Sequence, residues 1–265
     1  MHDILADIVA DKRIEVAAAR QALPLERLAA MALETPASAR SMSRALASSP
    51  YGIISEFKRK SPSKGWIHED ADPLDVIPSY QEAGASALSI LTDMKYFGGT
   101  LEFIQEVRPL VDIPILRKDF IIDEYQLYEA RLVGADAVLL IAACLSLEEC
   151  RSLMDKAHEL GLEVLLETHS LAEMEYASLG ADMVGINNRN LGTFHTDVQN
   201  SFDLASALRA SADAPVLVSE SGISQPDTVR ALRNEGFRGF LMGENFMKND
   251  DPGAALRSFI AALDE

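Results

Sequence analysis

The sequence predicts an α/β chain folded as a (β/α)8 barrel with an N-terminal helical extension, and three observations carry the prediction. First, a phrase around a glycine recurs: Ala83-Gly84-Ala85-Ser86-Ala87, Val133-Gly134-Ala135-Asp136-Ala137, Leu179-Gly180-Ala181-Asp182-Met183 and, more loosely, Glu235-Gly236-Phe237-Arg238-Gly239. The copies lie about fifty residues apart, and each glycine closes a helix just before an apolar run. Second, one further apolar run falls between successive copies: Ile113-Pro114-Ile115-Leu116, Leu162-Glu163-Val164-Leu165-Leu166 and Pro215-Val216-Leu217-Val218. Third, no G-x-G-x-x-G follows the first strand, as an open dinucleotide-binding sheet would favour.

Taken in order, residues 1–48 form the extension and residues 49–265 the barrel. Ile4, Leu5, Ile8 and Val9 repeat at helical spacing; a second helical segment starts near Pro24, and no strand pattern precedes Tyr51. With Gly52-Ile53-Ile54-Ser55 added, the eight strands fall at about 52–56, 86–91, 113–117, 136–141, 162–167, 182–187, 215–219 and 238–242. A barrel of this kind uses about 250 residues, which 265 accommodates as one domain.

Composition bounds the partners. A formal net charge of -17 disfavours nucleic acid and anionic membrane, because neither is attracted by such a field. The longest apolar run, Ala137 to Leu145, is far short of the roughly 20 residues that span a bilayer as a helix. The start shows no basic region before an apolar block, so a cytoplasmic location is expected. Cys144 and Cys150 read as buried thiols in a reducing compartment.

Barrel enzymes carry their chemistry where the strands stop at their carboxyl ends. The expected ends hold Glu56 and Lys58, Thr92-Asp93, Arg117-Lys118-Asp119, Glu167, Asn187-Asn188-Arg189, Ser219-Glu220-Ser221-Gly222 and Gly243-Glu244; the fourth strand alone ends apolar. Glu56 and Lys58, two apart, project to one face. The stretch Lys58-Arg59-Lys60-Ser61-Pro62-Ser63-Lys64-Gly65 concentrates positive charge in an acidic chain and suits an anionic ligand. Ser221-Gly222 and Gly243 place backbone amides where barrels often hold phosphate. The Glu244 side chain is expected to point away from such a site. No H-E-x-x-H, Walker A loop or G-x-S-x-G occurs, and the five histidines lack ligand spacing, so no metal is expected; His169 reads as a loop residue.

The motifs Glu56-Phe57-Lys58-Arg59-Lys60-Ser61-Pro62-Ser63, Leu91-Thr92-Asp93, Lys95-Tyr96-Phe97-Gly98-Gly99, Leu116-Arg117-Lys118-Asp119-Phe120-Ile121, Leu166-Glu167, Ile186-Asn187-Asn188-Arg189-Asn190-Leu191 and Ser219-Glu220-Ser221-Gly222-Ile223 closely resemble the indole-3-glycerol-phosphate synthase family of tryptophan biosynthesis, over essentially the whole chain. The resemblance implies an anionic phosphosugar substrate, 1-(2-carboxyphenylamino)-1-deoxyribulose 5-phosphate, closed to an indole with loss of carbon dioxide and water and without a cofactor.

It further implies Lys118 as general acid to the ketone oxygen and Glu167 as the carboxylate that handles protons. Lys58 would serve at the phosphate or at the departing hydroxyl, and Glu56 would hold Lys58 and Lys118 charged. Asn187 and Ser221 would hydrogen-bond the substrate and Arg189 would clamp its ring carboxylate. Phe120 would line the ring pocket, and Ser61, Gly222 and Gly243 would cradle the phosphate. The N-terminal helices would cover the mouth, and the chain is expected to act as a monomer. Two other readings stand beside this one: another phosphosugar barrel enzyme, an isomerase or aldolase, and a barrel that only binds a phosphorylated metabolite.

Overall fold

The structure is a computed structural model that describes residues 4–36, 39–190, 195–208 and 215–265. Leu191, the last residue of the sixth strand-end motif, and the first three residues lie outside them. Strands β1 (Ile53–Phe57), β2 (Ala87–Leu91), β3 (Ile115–Lys118), β4 (Ala137–Ile141), β5 (Glu163–Thr168), β6 (Met183–Asn187), β7 (Val216–Glu220) and β8 (Gly239–Met242) close a barrel. Every neighbouring pair is parallel, and β1 pairs with both β2 and β8. The strand limits fall within two residues of those expected from the sequence.

Period-two alternation divides each strand. Ile53, Phe57, Leu88, Ile90, Val138, Leu140, Val164, Leu166, Val184 and Ile186 face outward into the layer under the helices. Ile54, Ala87, Leu116, Leu139, Leu165, Met183, Val218 and Leu241 fill the interior. Continuing the inward set toward the carboxyl ends gives Glu56, Lys118, Glu167, Asn187 and Glu220. The apolar core thus gives way to polar and ionisable groups toward the carboxyl ends.

The helices are α1 (Ile4–Ala22), α2 (Leu25–Glu34), α3 (Met42–Ser48), α4 (Pro73–Glu82), α5 (Met94–Phe97), α6 (Leu101–Val107), α7 (Glu124–Val133), α8 (Leu147–Glu159), α9 (Gln199–Leu208), α10 (Pro226–Asn234), α11 (Glu244–Met247) and α12 (Pro252–Leu263). After β5 the chain winds instead as a 3-10 helix, Leu171–Leu179. Helix α3 closes the amino-terminal end: Met42 and Leu46 join the interior cluster, and the Glu163 carboxylate, at the start of β5, accepts from Ser41 Oγ at 2.5 Å and Ser43 N at 2.8 Å. With that end plugged, the opposite end is the mouth.

Helix α1 packs at the rim of the mouth. Its buried stripe of Ile8, Val9, Lys12 and Val16 includes a charge. Lys12 is 1% exposed, and its Nζ meets Asp93 Oδ2 and Asp119 Oδ1 at 3.0 Å each and Glu15 Oε2 at 2.8 Å. Burial alone would disfavour this ammonium, but Asp119 and Asp93 outweigh that and hold its pKa above that of a free lysine. Removing one partner of a buried ion pair strands the other, at a loss of about 3–5 kcal/mol. Lys12→Met should therefore lower the melting temperature by many degrees, whereas Lys156→Met, from an exposed pair with Glu159, should barely move it; equal shifts in thermal denaturation would contradict this.

Candidate active site

The carboxyl ends of the strands enclose a cavity of about 540 Å³. Glu56, Lys58, Ser61, Lys118, Phe120, Glu167, Asn187, Arg189, Ser221, Gly222 and Gly243 all line it, so every site residue expected from the sequence reaches one opening. Ile4, Leu5 and Ile8 of α1 form part of its wall.

The ionisable centre is compact. Lys118 Nζ stands 3.3 Å from Glu167 Oε2 and 3.6 Å from Glu220 Oε2, and Lys58 Nζ donates to Glu56 Oε1 at 2.6 Å. Asn187 Nδ2 donates to Glu167 Oε1 at 3.1 Å, while His169 Nε2 lies 3.3 Å from the same oxygen. Burial opposes the Lys118 ammonium, yet Glu167, Glu220 and Glu56 overcome it and raise its pKa. Burial likewise acts against the Glu167 carboxylate, but Lys118 and then His169 more than offset it and lower its pKa. Glu56 is lowered in the same way, by Lys58 and Lys118 against its burial.

Glu220 goes the opposite way. It is 1% exposed, neither carboxyl oxygen has a hydrogen-bond partner among the described residues, and burial followed by repulsion from Glu167 pushes its pKa up. Gly185 makes room for it, since a Cβ there would stand 2.1 Å from Glu220 Oε1. A carboxyl whose folded pKa is raised stays protonated in the fold where the unfolded chain has already lost its proton. Wild-type stability should fall as pH rises above the ordinary carboxylate range. Glu220→Gln should remove that slope and raise the melting temperature in mildly alkaline buffer while reducing turnover; an unchanged slope would contradict the assignment.

Two polar corners flank this centre. Ser221 has φ 69°, the one non-glycine positive value among the described residues, and Gly222 follows at 77°. Asn188 Nδ2 anchors that turn by donating to Ser221 O at 3.0 Å, and a Cβ on Gly222 would press within 2.5 Å of Thr196 Cγ2. Ser61 lines the cavity, and its buried Oγ has no hydrogen-bond partner among the described residues; neither does Arg189 Nε. The Phe120 ring lies 6.0 Å from that of Phe97, and with Leu91, Leu139 and Ile141 they make an apolar, aromatic side to the cavity.

Two sequence expectations need correction. The basic stretch does not act as a unit: Arg59 donates twice to Gly98 O, at 2.9 and 2.8 Å, and packs over Trp66 and Phe103, while Lys60 donates to Lys95 O at 2.9 Å. These two brace the loops after β1 and β2 together, leaving Lys58 and Lys64 to the cavity. The Glu244 side chain turns toward the cavity instead of away, because Lys64 and Arg189 attract it. His169 lies in the loop after β5, as expected, and sits there between Glu167 and Glu173, whose carboxylates overcome its burial and raise its pKa to about 10. Period two predicts it, as it predicts Glu220 from Val218.

A closed parallel barrel whose mouth gathers two lysines, three buried glutamates and glycine-bordered turns defines a (β/α)8 enzyme equipped for proton transfer on an anionic substrate. Residues 5–259 match the family profile for indole-3-glycerol phosphate synthase. The chain belongs to that family. It is 62% identical to the indole-3-glycerol phosphate synthase of Bacteroides thetaiotaomicron, over 99% of this chain and 100% of that one, and 49% identical to that of Azoarcus sp., over 97% and 99%. Among solved structures it is similar in fold to a variant tryptophan synthase alpha-subunit from Pyrococcus furiosus (TM-score 0.60, 16% identity, 80% of this chain and 97% of that one). Thiamine phosphate pyrophosphorylase from the same organism is similar too (TM-score 0.60, 16% identity, 84% and 98%).

Proposed function

We propose that this protein closes 1-(2-carboxyphenylamino)-1-deoxyribulose 5-phosphate to indole-3-glycerol phosphate, releasing carbon dioxide and water. The observation that carries the reading is Lys118 Nζ held among Glu167, Glu220 and Glu56 at the base of a cavity with an aromatic side and polar corners. The phosphate lies against Ser61, Gly222 and Gly243, the ring against Phe120, and the ring carboxylate against Arg189.

The ring carbon bearing the carboxylate attacks the ketone carbon, and Lys118 gives its proton to the oxygen on which charge develops. The bond to the carboxylate then breaks, its electron pair restoring the aromatic ring as carbon dioxide leaves. The new hydroxyl departs as water, protonated by Lys58 or by neutral Glu220, while Glu167 removes a proton from the adjacent methylene carbon. Asn187, bonded to Glu167, fixes the direction of that carboxylate, and Ser221 hydrogen-bonds the substrate. The amino-substituted ring supplies the electrons, so the sequence of steps balances without a cofactor.

Adding the carboxyphenylamino sugar phosphate should produce indole fluorescence and one carbon dioxide per indole; no turnover would sink the reading. Arg189→Ala should raise KM for this substrate roughly tenfold or more while changing inorganic phosphate binding much less. Equal losses would contradict the carboxylate clamp.

A further inference from the structure

Glu244 is an odd neighbour for a phosphate. It follows Gly243 directly, lines the cavity, pairs with Lys64 Nζ through Oε1 and lies 4.0 Å from Arg189 Nη2 through Oε2. Its burial opposes the charge, but Lys64 first, then Lys58 and Arg189, lower its pKa. Lys64 and Arg189 belong to the loops after β1 and β6, so this one carboxylate ties three strand-end loops together across the opening. Ser63 Oγ, 3.2 Å from Arg189 Nη1, strengthens the same junction.

The other carboxylates of the wall cannot move aside. Glu56, Asp119, Glu167 and Glu220 are each 3% exposed or less, whereas the Glu244 side chain is 33% exposed and that of Lys64 56%. Glu244 can therefore swing into water without leaving a charge buried. A dianion arriving at Gly222 and Gly243 repels it and attracts the same lysine.

We propose that Glu244 is an internal counter-anion: it occupies Lys64 in the empty site, must be displaced by an incoming phosphate group, and so determines which anions the site retains. This rests on the reading of Gly222 and Gly243 as phosphate-binding. A substrate with ring, carboxylate and ketone contacts offsets the displacement through all of them. A bare phosphate has one group with which to do so, and the site discriminates against it.

The test is inorganic phosphate binding, measured by calorimetry on the full chain and its variants, with melting temperatures to confirm folding. Glu244→Gln should tighten phosphate by about fivefold, the worth of a partly exposed charge pair. Lys64→Met should weaken phosphate more in the Glu244→Gln background than in the wild type, where Glu244 already engages that lysine. Unchanged or weaker phosphate binding by Glu244→Gln, or an equal effect of Lys64→Met in both backgrounds, would overturn the proposal. Failure of the functional reading would appear separately, as absence of turnover by the wild type, since the binding measurement requires none.

Discussion

Lys118→Ala should lose kcat by about a thousandfold or more while the substrate still binds within a few-fold of wild type. The side chain is 15% exposed and its loss strands buried carboxylates, so the melting temperature is read beside the kinetics to confirm that the variant is folded. On the proposed mechanism, what disappears is the proton donor at the ketone, an interaction needed only as negative charge forms on that oxygen. The variant also leaves Glu167, Glu220 and Glu56 without the cation they share, which should raise the pKa of Glu167 and shift the acidic limb of any residual activity upward. Equal losses in kcat and in affinity would move Lys118 from proton transfer to simple anion binding.

Glu167→Gln should cost kcat about a hundredfold or more, with KM nearly unchanged. The amide keeps the shape and can still meet Asn187, but it cannot take a proton from carbon. Because Glu167 is ionised in the fold through Lys118 and His169, the substitution also removes the repulsion acting on Glu220. Glu220 should then titrate nearer to its ordinary value, and the alkaline limb of the pH–rate profile, if Glu220 donates a proton to the leaving hydroxyl, should move down in step. Turnover that survives in Glu167→Gln would transfer the base role elsewhere.

Much of this was legible in the chain because two periodicities write it there. The glycine phrases at Gly84, Gly134 and Gly180 end helices or helical turns with left-handed or otherwise positive φ, and the apolar runs after them are β2, β4 and β6. Alternation along each strand then decides which residues reach the mouth, which is why Glu56 with Ile54 and Lys118 with Leu116 could be read directly. The same rule places Glu220 with Val218, and treating it as an unassigned strand-end polar group missed a buried acid.

Other features depend on partners far along the chain and have no local signature. Lys12 falls on the apolar stripe of an amphipathic helix, and nothing near it announces Asp93 and Asp119. Arg59 and Lys60 look like ligand-binding cations until Trp66, Phe103 and two backbone carbonyls claim them. Glu244 turns inward because Lys64 and Arg189, from other loops, converge on it.

The most direct test of the central claim is a crystal structure with the unreactive alcohol analogue, in which the substrate ketone is reduced. The account predicts Lys118 Nζ within hydrogen-bonding distance of the former ketone oxygen, phosphate against Gly222 and Gly243, and the ring beside Phe120. An analogue seated with that oxygen beyond reach of Lys118, or with phosphate at the aromatic side, would contradict it.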